Sequence, residues 1–307
     1  MTQNLQTDLQ KITDTLYVED NVRYDFMYNL AGGLGDIINQ LFYFPLYEHI
    51  LEQSKNKKII INLCSCNPFS KEIFDYLPNR NNLKINIFDN YYSILSNINF
   101  ENRQEFFKSF NKNNIDLNSN YNILDYSKEP NGYLDFYMKY DEKQIINNIL
   151  KSNKKIIIFS PCSGKKHTTP SKQYCEKIIE YIPEEFLIIK IGRDYVTTYG
   201  EDIRYNTEYK FENNYKVIDL TNKLSVPATL ELVKLSSGII TSDTSILIYS
   251  SILHKPMFLM LFNKKHHLYQ NYKKNMHYYR CFEYENVVVE DWENTTENTI
   301  KKFINFI

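Results

Sequence analysis

Short apolar runs and amphipathic stretches alternate along this chain, a pattern that predicts strands each followed by a helix. Residues 1–22 are polar, with Leu5, Leu9, Ile12 and Leu16 at helical spacing, and predict a short leading helix. Beyond them, 24–30 read as a strand, 37–51 as a long helix that Pro45 should kink, and 58–63 as a buried strand. A short helix at 70–77 is stopped by Pro78, and 83–88 form the next strand. A helix at 99–110, an Asn-rich loop at 111–120, a strand-like run at 121–126 and a helix at 141–150 complete this half. The polar break Lys151-Ser152-Asn153-Lys154-Lys155 then marks a domain boundary, dividing the chain into 1–150 and 151–307.

The second half repeats the alternation more clearly. Strands are predicted at 156–160, 186–192, 217–220, 238–242, 256–262 and 287–290. Helices are predicted at 171–182, 227–235, 244–253 and 295–307, with Ser225 as the cap of the second and Pro227 in its first turn. Such alternation argues for an α/β protein of two Rossmann-like domains, each a parallel sheet with helices on both faces, facing one another across a cleft. A chain of 307 residues is long enough for two such cores.

Composition narrows the function classes. A net charge of −1 gives no bulk attraction to nucleic acid. No apolar run is long enough to span a membrane, and the opening MTQNLQTDLQ lacks a basic stretch followed by an apolar one, so a cytoplasmic protein is expected. The five cysteines are odd in number and form no Cys-x-x-Cys pair, which fits reduced thiols.

Three polar turns at predicted strand ends carry the candidate chemistry. The first is Ala31-Gly32-Gly33-Leu34-Gly35-Asp36, which holds three of only eight glycines in the chain. Glycine serves where backbone must turn sharply or another molecule must come close. It is not a dinucleotide fingerprint, because Ile38 stands where the third glycine belongs. That counts against an oxidoreductase, and leaves Asp36 as either a helix cap or a proton acceptor. The second turn offers Ser163, Gly164, Lys165, Lys166, His167, Thr168 and Thr169. Hydroxyls, backbone N–H groups and lysines after a strand suit a diphosphate, although Phe159 and Lys166 break the Walker A pattern. The third is Thr241-Ser242-Asp243-Thr244-Ser245, whose hydroxyls and carboxylate suit a phosphate, ribose or sugar, or else cap the following helix through Ser242 or Asp243. His266, His267 and His277 lie in a Lys/Tyr-rich stretch and read as loop residues rather than metal ligands, and no Asp-x-Asp metal clamp occurs.

These turns, in this order, resemble the heptosyltransferase-type glycosyltransferases of GT-B architecture, the family that includes the ADP-heptose lipopolysaccharide enzymes. The resemblance runs from about 24 to 262. It rests on Gly33-Leu34-Gly35-Asp36 with Pro45, on the strand, loop and helix of 156–182, and on Asp219-Leu220, Leu230-Glu231-Leu232, Asp243-Thr244-Ser245 and Pro256. Three positions depart from the pattern. Ser245 replaces a glycine, Ile248 replaces a histidine, and Lys166 and Pro170 stand without the usual tryptophan between them. Asn39-Gln40-Leu41-Phe42 after the glycines is also similar to the opening of α-fucosyltransferases.

The resemblance implies an inverting, metal-independent glycosyltransferase that needs no cofactor. Asp36 would be its catalytic base, with Gly33 and Gly35 on the acceptor side. Ser163, Gly164, Lys165, Lys166, Asp243, Thr244 and Ser245 would bind a nucleoside diphosphate sugar donor. The acceptor would be a glycan, a lipid-linked glycan or a protein. It also allows the final helix to pack back on the N-terminal domain. A catalytically silent relative that binds a nucleotide or glycan, and a fucosyltransferase-like enzyme, are the alternatives.

Overall fold

The structure, a computed structural model, describes residues 24–30, 34–35, 38, 59–65, 72–73, 83–88, 138–163, 169–193, 195–196, 202–203, 209–211, 215–261, 284–292 and 294–307. The chain forms two compact units, Met1–Pro130 and Asn131–Ile307. In the first, β1 (Tyr24–Leu30), β2 (Ile59–Ser65) and β3 (Leu83–Phe88) form a parallel sheet in the order β1-β2-β3. Leu34, Gly35 and Ile38 are helical, and the rest of the segment expected as a helix over 37–51 lies outside the described residues. The elements expected at 1–22, 99–110 and 121–126 lie outside the described residues.

The second unit opens with α1 (Tyr140–Leu150) and continues with β4 (Lys155–Ser160), α2 (Lys172–Tyr181) and β5 (Phe186–Lys190). A small antiparallel hairpin, β6 (Tyr195–Val196) with β7 (Asp202–Ile203), follows. Two-residue strands carry no periodicity, which is why the pattern did not announce them. Then come β8 (Val217–Asp219), α3 (Val226–Leu235), β9 (Gly238–Thr241), α4 (Ser245–Ile252), β10 (Met257–Leu261), β11 (Val287–Asp291) and α5 (Glu297–Ile304). Six of these strands form one parallel sheet in the order β11-β10-β9-β4-β5-β8. Counted within the unit, that is the doubly wound order 3-2-1-4-5-6.

Strand alternation decides which helices cover each face. Ile157, Phe159, Ile188, Ile240, Phe258 and Met260 share one core with Cys175, Ile178 and Ile179 of α2 and with Ile300 and Phe303 of α5. The intervening residues Ile156, Ile158, Ile189, Ile239 and Leu259 are equally buried, so these strands have no polar side. The caps are those the sequence offers. Ser171 Oγ accepts the Tyr174 N–H, and Ser225 Oγ accepts the Ala228 N–H, at 3.2 Å each. α4 ends with paired return bonds, Lys255 N–H to Ser250 O and His254 N–H to Ser251 O, around a left-handed His254. Among the described residues no helix is long and apolar enough to cross a membrane.

One expectation shifts. The boundary falls at 130/131 rather than near 151, because α1 packs on α3 within the second unit. Its buried Glu142 accepts the Ser225 N–H at 2.6 Å, a contact spanning 83 residues that no local pattern reveals. The final helix packs on α2, β10 and β11 of its own unit. Phe303 is fully buried there, 6.3 Å from the Phe258 ring. Phe303→Ala should lower the stability of this unit by about 3–5 kcal/mol in chemical denaturation of the full chain.

Candidate switch-point site

In a doubly wound sheet, the loops after the two central strands leave toward opposite faces and open a crevice at the carboxyl edge. Here the central pair is β4 and β9, in register as Ser160↔Thr241. The turns selected from sequence at 161–166 and 241–245 therefore leave neighbouring strand ends. Polar side chains tie these ends together. Ser242 Oγ donates to Pro161 O at 2.8 Å, and Ser242 N–H donates to Ser160 O at 3.3 Å. The Thr241 hydroxyl lies 3.2 Å from Ser160 O and 2.9 Å from the Thr244 hydroxyl.

The helix cap is Thr244 rather than Asp243 or Ser242. Its Oγ1 accepts the Ile246 N–H at 3.2 Å. Ser242 is fully buried and spent on the strand tie. Asp243, Thr244 and Ser245 are half-buried, with Ser245 the first residue of α4. The α4 N-terminus brings backbone N–H groups and a partial positive charge to this edge. Ser163 is buried, and its N–H donates to Thr169 Oγ1 at 3.0 Å. Gly33 and Asp36 lie outside the described residues, as do Gly164, Lys165 and Lys166, and so do the three histidines at 266, 267 and 277.

Sequence reasoning passed over a second polar group on the same edge. Lys190, the last residue of β5, is fully buried. It donates to Asp219 Oδ2 at 3.1 Å and to Thr221 Oγ1 at 2.6 Å. Burial works against ionisation of Asp219. The Thr221 hydroxyl and N–H and the Lys190 ammonium overcome it and hold the carboxyl below its usual value. The signal was present as a single charge in the otherwise apolar run Phe-Leu-Ile-Ile-Lys-Ile-Gly. Arg193, considered for a base or phosphate, directs Nε and Nη2 to Leu224 O at 3.2 and 2.9 Å. Nearby, burial pushes the Cys175 thiol up, and neither Cys162 nor Cys175 is in a disulfide.

Removing the Ser242 hydroxyl takes a donor from the buried tie between strand ends. Ser242→Ala should cost about 1–3 kcal/mol of stability, read as a lower denaturation midpoint at unchanged slope.

No family model matches the chain, and no curated protein sequence does. Solved structures do match in shape. ADP-heptose LPS heptosyltransferase II of E. coli superposes with a TM-score of 0.55 at 11% identity, over 92% of this chain and 98% of the other. A glycosyl transferase family 9 protein from Veillonella parvula gives 0.54 at 12% identity, over 87% and 85%. E. coli heptosyltransferase WaaC with ADP gives 0.52 at 11%, over 91% and 98%. At these identities the likeness concerns the fold, and the fold of this chain is that of the heptosyltransferase-like GT-B structures.

Proposed function

We propose that the chain is a glycosyltransferase that moves a sugar from a nucleoside diphosphate to a hydroxyl acceptor, with inversion and without a metal ion. The observation that carries this reading is the pairing of β4 with β9 at the switch point of the sheet, with the α4 N-terminus at the same edge, in a chain with the heptosyltransferase fold. A helix N-terminus at a switch point favours a bound diphosphate through its N–H groups and dipole. The relatives in shape include one solved with ADP.

In this reading Asp243, Ser245 and the α4 N–H groups, with Ser163, Gly164, Lys165 and Lys166 from the facing loop, hold the donor. Thr244 acts through its cap, which sets the first turn of α4. The leaving diphosphate gains negative charge as the sugar–oxygen bond breaks, and fixed N–H groups and lysines stabilise that charge without reorganising. Gly33 and Gly35 allow the acceptor to come close. Asp36 takes the proton of the attacking hydroxyl, and the oxygen forms the new bond to the anomeric carbon from the opposite face. The acceptor is a glycan, a lipid-linked glycan or a protein. Ile248 in place of the family histidine favours a second reading, in which a silent relative binds nucleotide without transfer.

A thermal-shift panel of ADP, GDP, UDP and CDP with their common sugars tests the reading directly. A ligand at about 100 times its Kd should add about 2.7 kcal/mol of stability. No shift with any of them would reject the nucleotide site, and a shift without release of free diphosphate from any donor and acceptor pair would select the silent reading. Asp36→Ala should leave nucleotide binding intact and lower turnover by about 10²–10⁴-fold. Turnover at the wild-type level would remove Asp36 from the mechanism.

A further inference from the structure

Burying a charge is unfavourable unless a partner meets it, and replacing the partners of a buried pair with apolar groups is often neutral or stabilising. Lys190 is nevertheless fully buried, paired with an Asp219 whose side chain stays 34% exposed, in a strand whose other residues, Phe186 to Ile189, are apolar. What the pair accomplishes is visible in the loop that follows β8. Asp219 Oδ1 accepts the Thr221 N–H at 2.9 Å, while Thr221 Oγ1 accepts from the Lys190 ammonium at 2.6 Å. The chain then turns through Asn222, whose φ of 61° lies in the left-handed region that asparagine tolerates.

The same loop is tied at several points to the segment leaving β5, and at its end to α1. Leu220 N–H donates to Lys190 O at 2.9 Å, and Asn222 N–H donates to Gly192 O at 3.0 Å. The Arg193 guanidinium holds Leu224 O, and Glu142 holds the Ser225 N–H. Segments 190–193 and 219–225 thus form one cross-tied wall on the carboxyl edge of the sheet. The 190–193 side of that wall adjoins the end of β4, since β5 pairs directly with β4 and Ile191 N–H donates to Phe159 O at 3.0 Å, and 219–225 stand one strand further out, behind it.

We propose that Lys190 is a positioning residue for nucleotide binding: through Asp219 and Thr221 it locks 219–225 against 190–193, the segment that borders β4 on one side of the β4–β9 crevice. The inference rests on the nucleotide-binding reading above. It explains why a buried charge stands where an isoleucine would cost less to bury. The pair sets the geometry of the wall instead of adding to global stability.

The double variant Lys190→Met/Asp219→Asn separates geometry from stability. It removes both charges together and keeps an acceptor for the Thr221 N–H. The probe is whichever of ADP, GDP, UDP or CDP the wild-type chain binds, measured by calorimetric titration beside a denaturation curve. The proposal expects a denaturation midpoint close to wild type and a Kd weakened about 10–100-fold, as a displaced site wall would produce. Thr221→Val, which removes the second ammonium contact, should weaken the same Kd in the same direction. Wild-type Kd in folded forms of both variants would overturn the proposal. Loss of the fold in both would also overturn it, by making the pair a stability element. If the wild-type chain binds none of the four, the nucleotide reading fails first and this inference falls with it.

Discussion

β4 and β9 lie side by side at the centre of the six-stranded sheet, and the organisation of the second unit follows from that pairing. From β4 the sheet grows outward through β5 and β8, and from β9 through β10 and β11. The connection after β4 leads into α2, which shares the core of one face with α5. The connection after β9 leads into α4, which packs on α3. Loops that part from adjacent strands in this way leave a gap, and strand order alone puts it there. The Ser242 tie to Pro161 keeps the two lips of the gap in register where the backbone ladder runs out.

Polarity within the sheet is distributed to match. The strand interiors are isoleucine, leucine, phenylalanine and methionine, buried on both faces. Buried Ser160, Ser163, Lys190, Thr241 and Ser242 stand instead at or just beyond strand ends on one edge. Burying a polar group is unfavourable unless a partner meets it, so each of these sites is defined by a specific contact. The edge where a ligand would approach is therefore the part of the sheet with a specified hydrogen-bond geometry, and the middle is held by packing.

The physical origin of each feature decided whether it could be read from sequence. Runs such as Lys-Ile-Ile-Ile-Phe-Ser and Met-Phe-Leu-Met-Leu are legible because a doubly covered parallel strand must be apolar throughout. The cap Ser225 is legible because it is a lone hydroxyl just before a helix that carries proline in its first turn. The cap of α4 was not, since Ser242, Asp243 and Thr244 are all competent and the tertiary tie of Ser242 to Pro161, 81 residues away, takes the first of them out of contention. The unit boundary was hidden because the Glu142–Ser225 bond joins residues far apart in the chain. The turns at 161–163 and 241–245 were picked out individually, but their adjacency comes from strand order, which local patterns do not encode.

The pairing of β4 with β9 also bears on how the chain reaches its native state. Contacts across that pair join residues 81 positions apart, whereas each strand's nearest sequence neighbours belong to its outer flanks. Closing so long a loop costs entropy before the new contacts repay it, so non-local pairing slows folding. The two flanks, β4-α2-β5 and β9-α4-β10, are the local pieces available first. The switch point is thus made by the one pairing that joins those two pieces, so whatever forms the site must first close the loop between β4 and β9, the longest between neighbouring strands of this sheet.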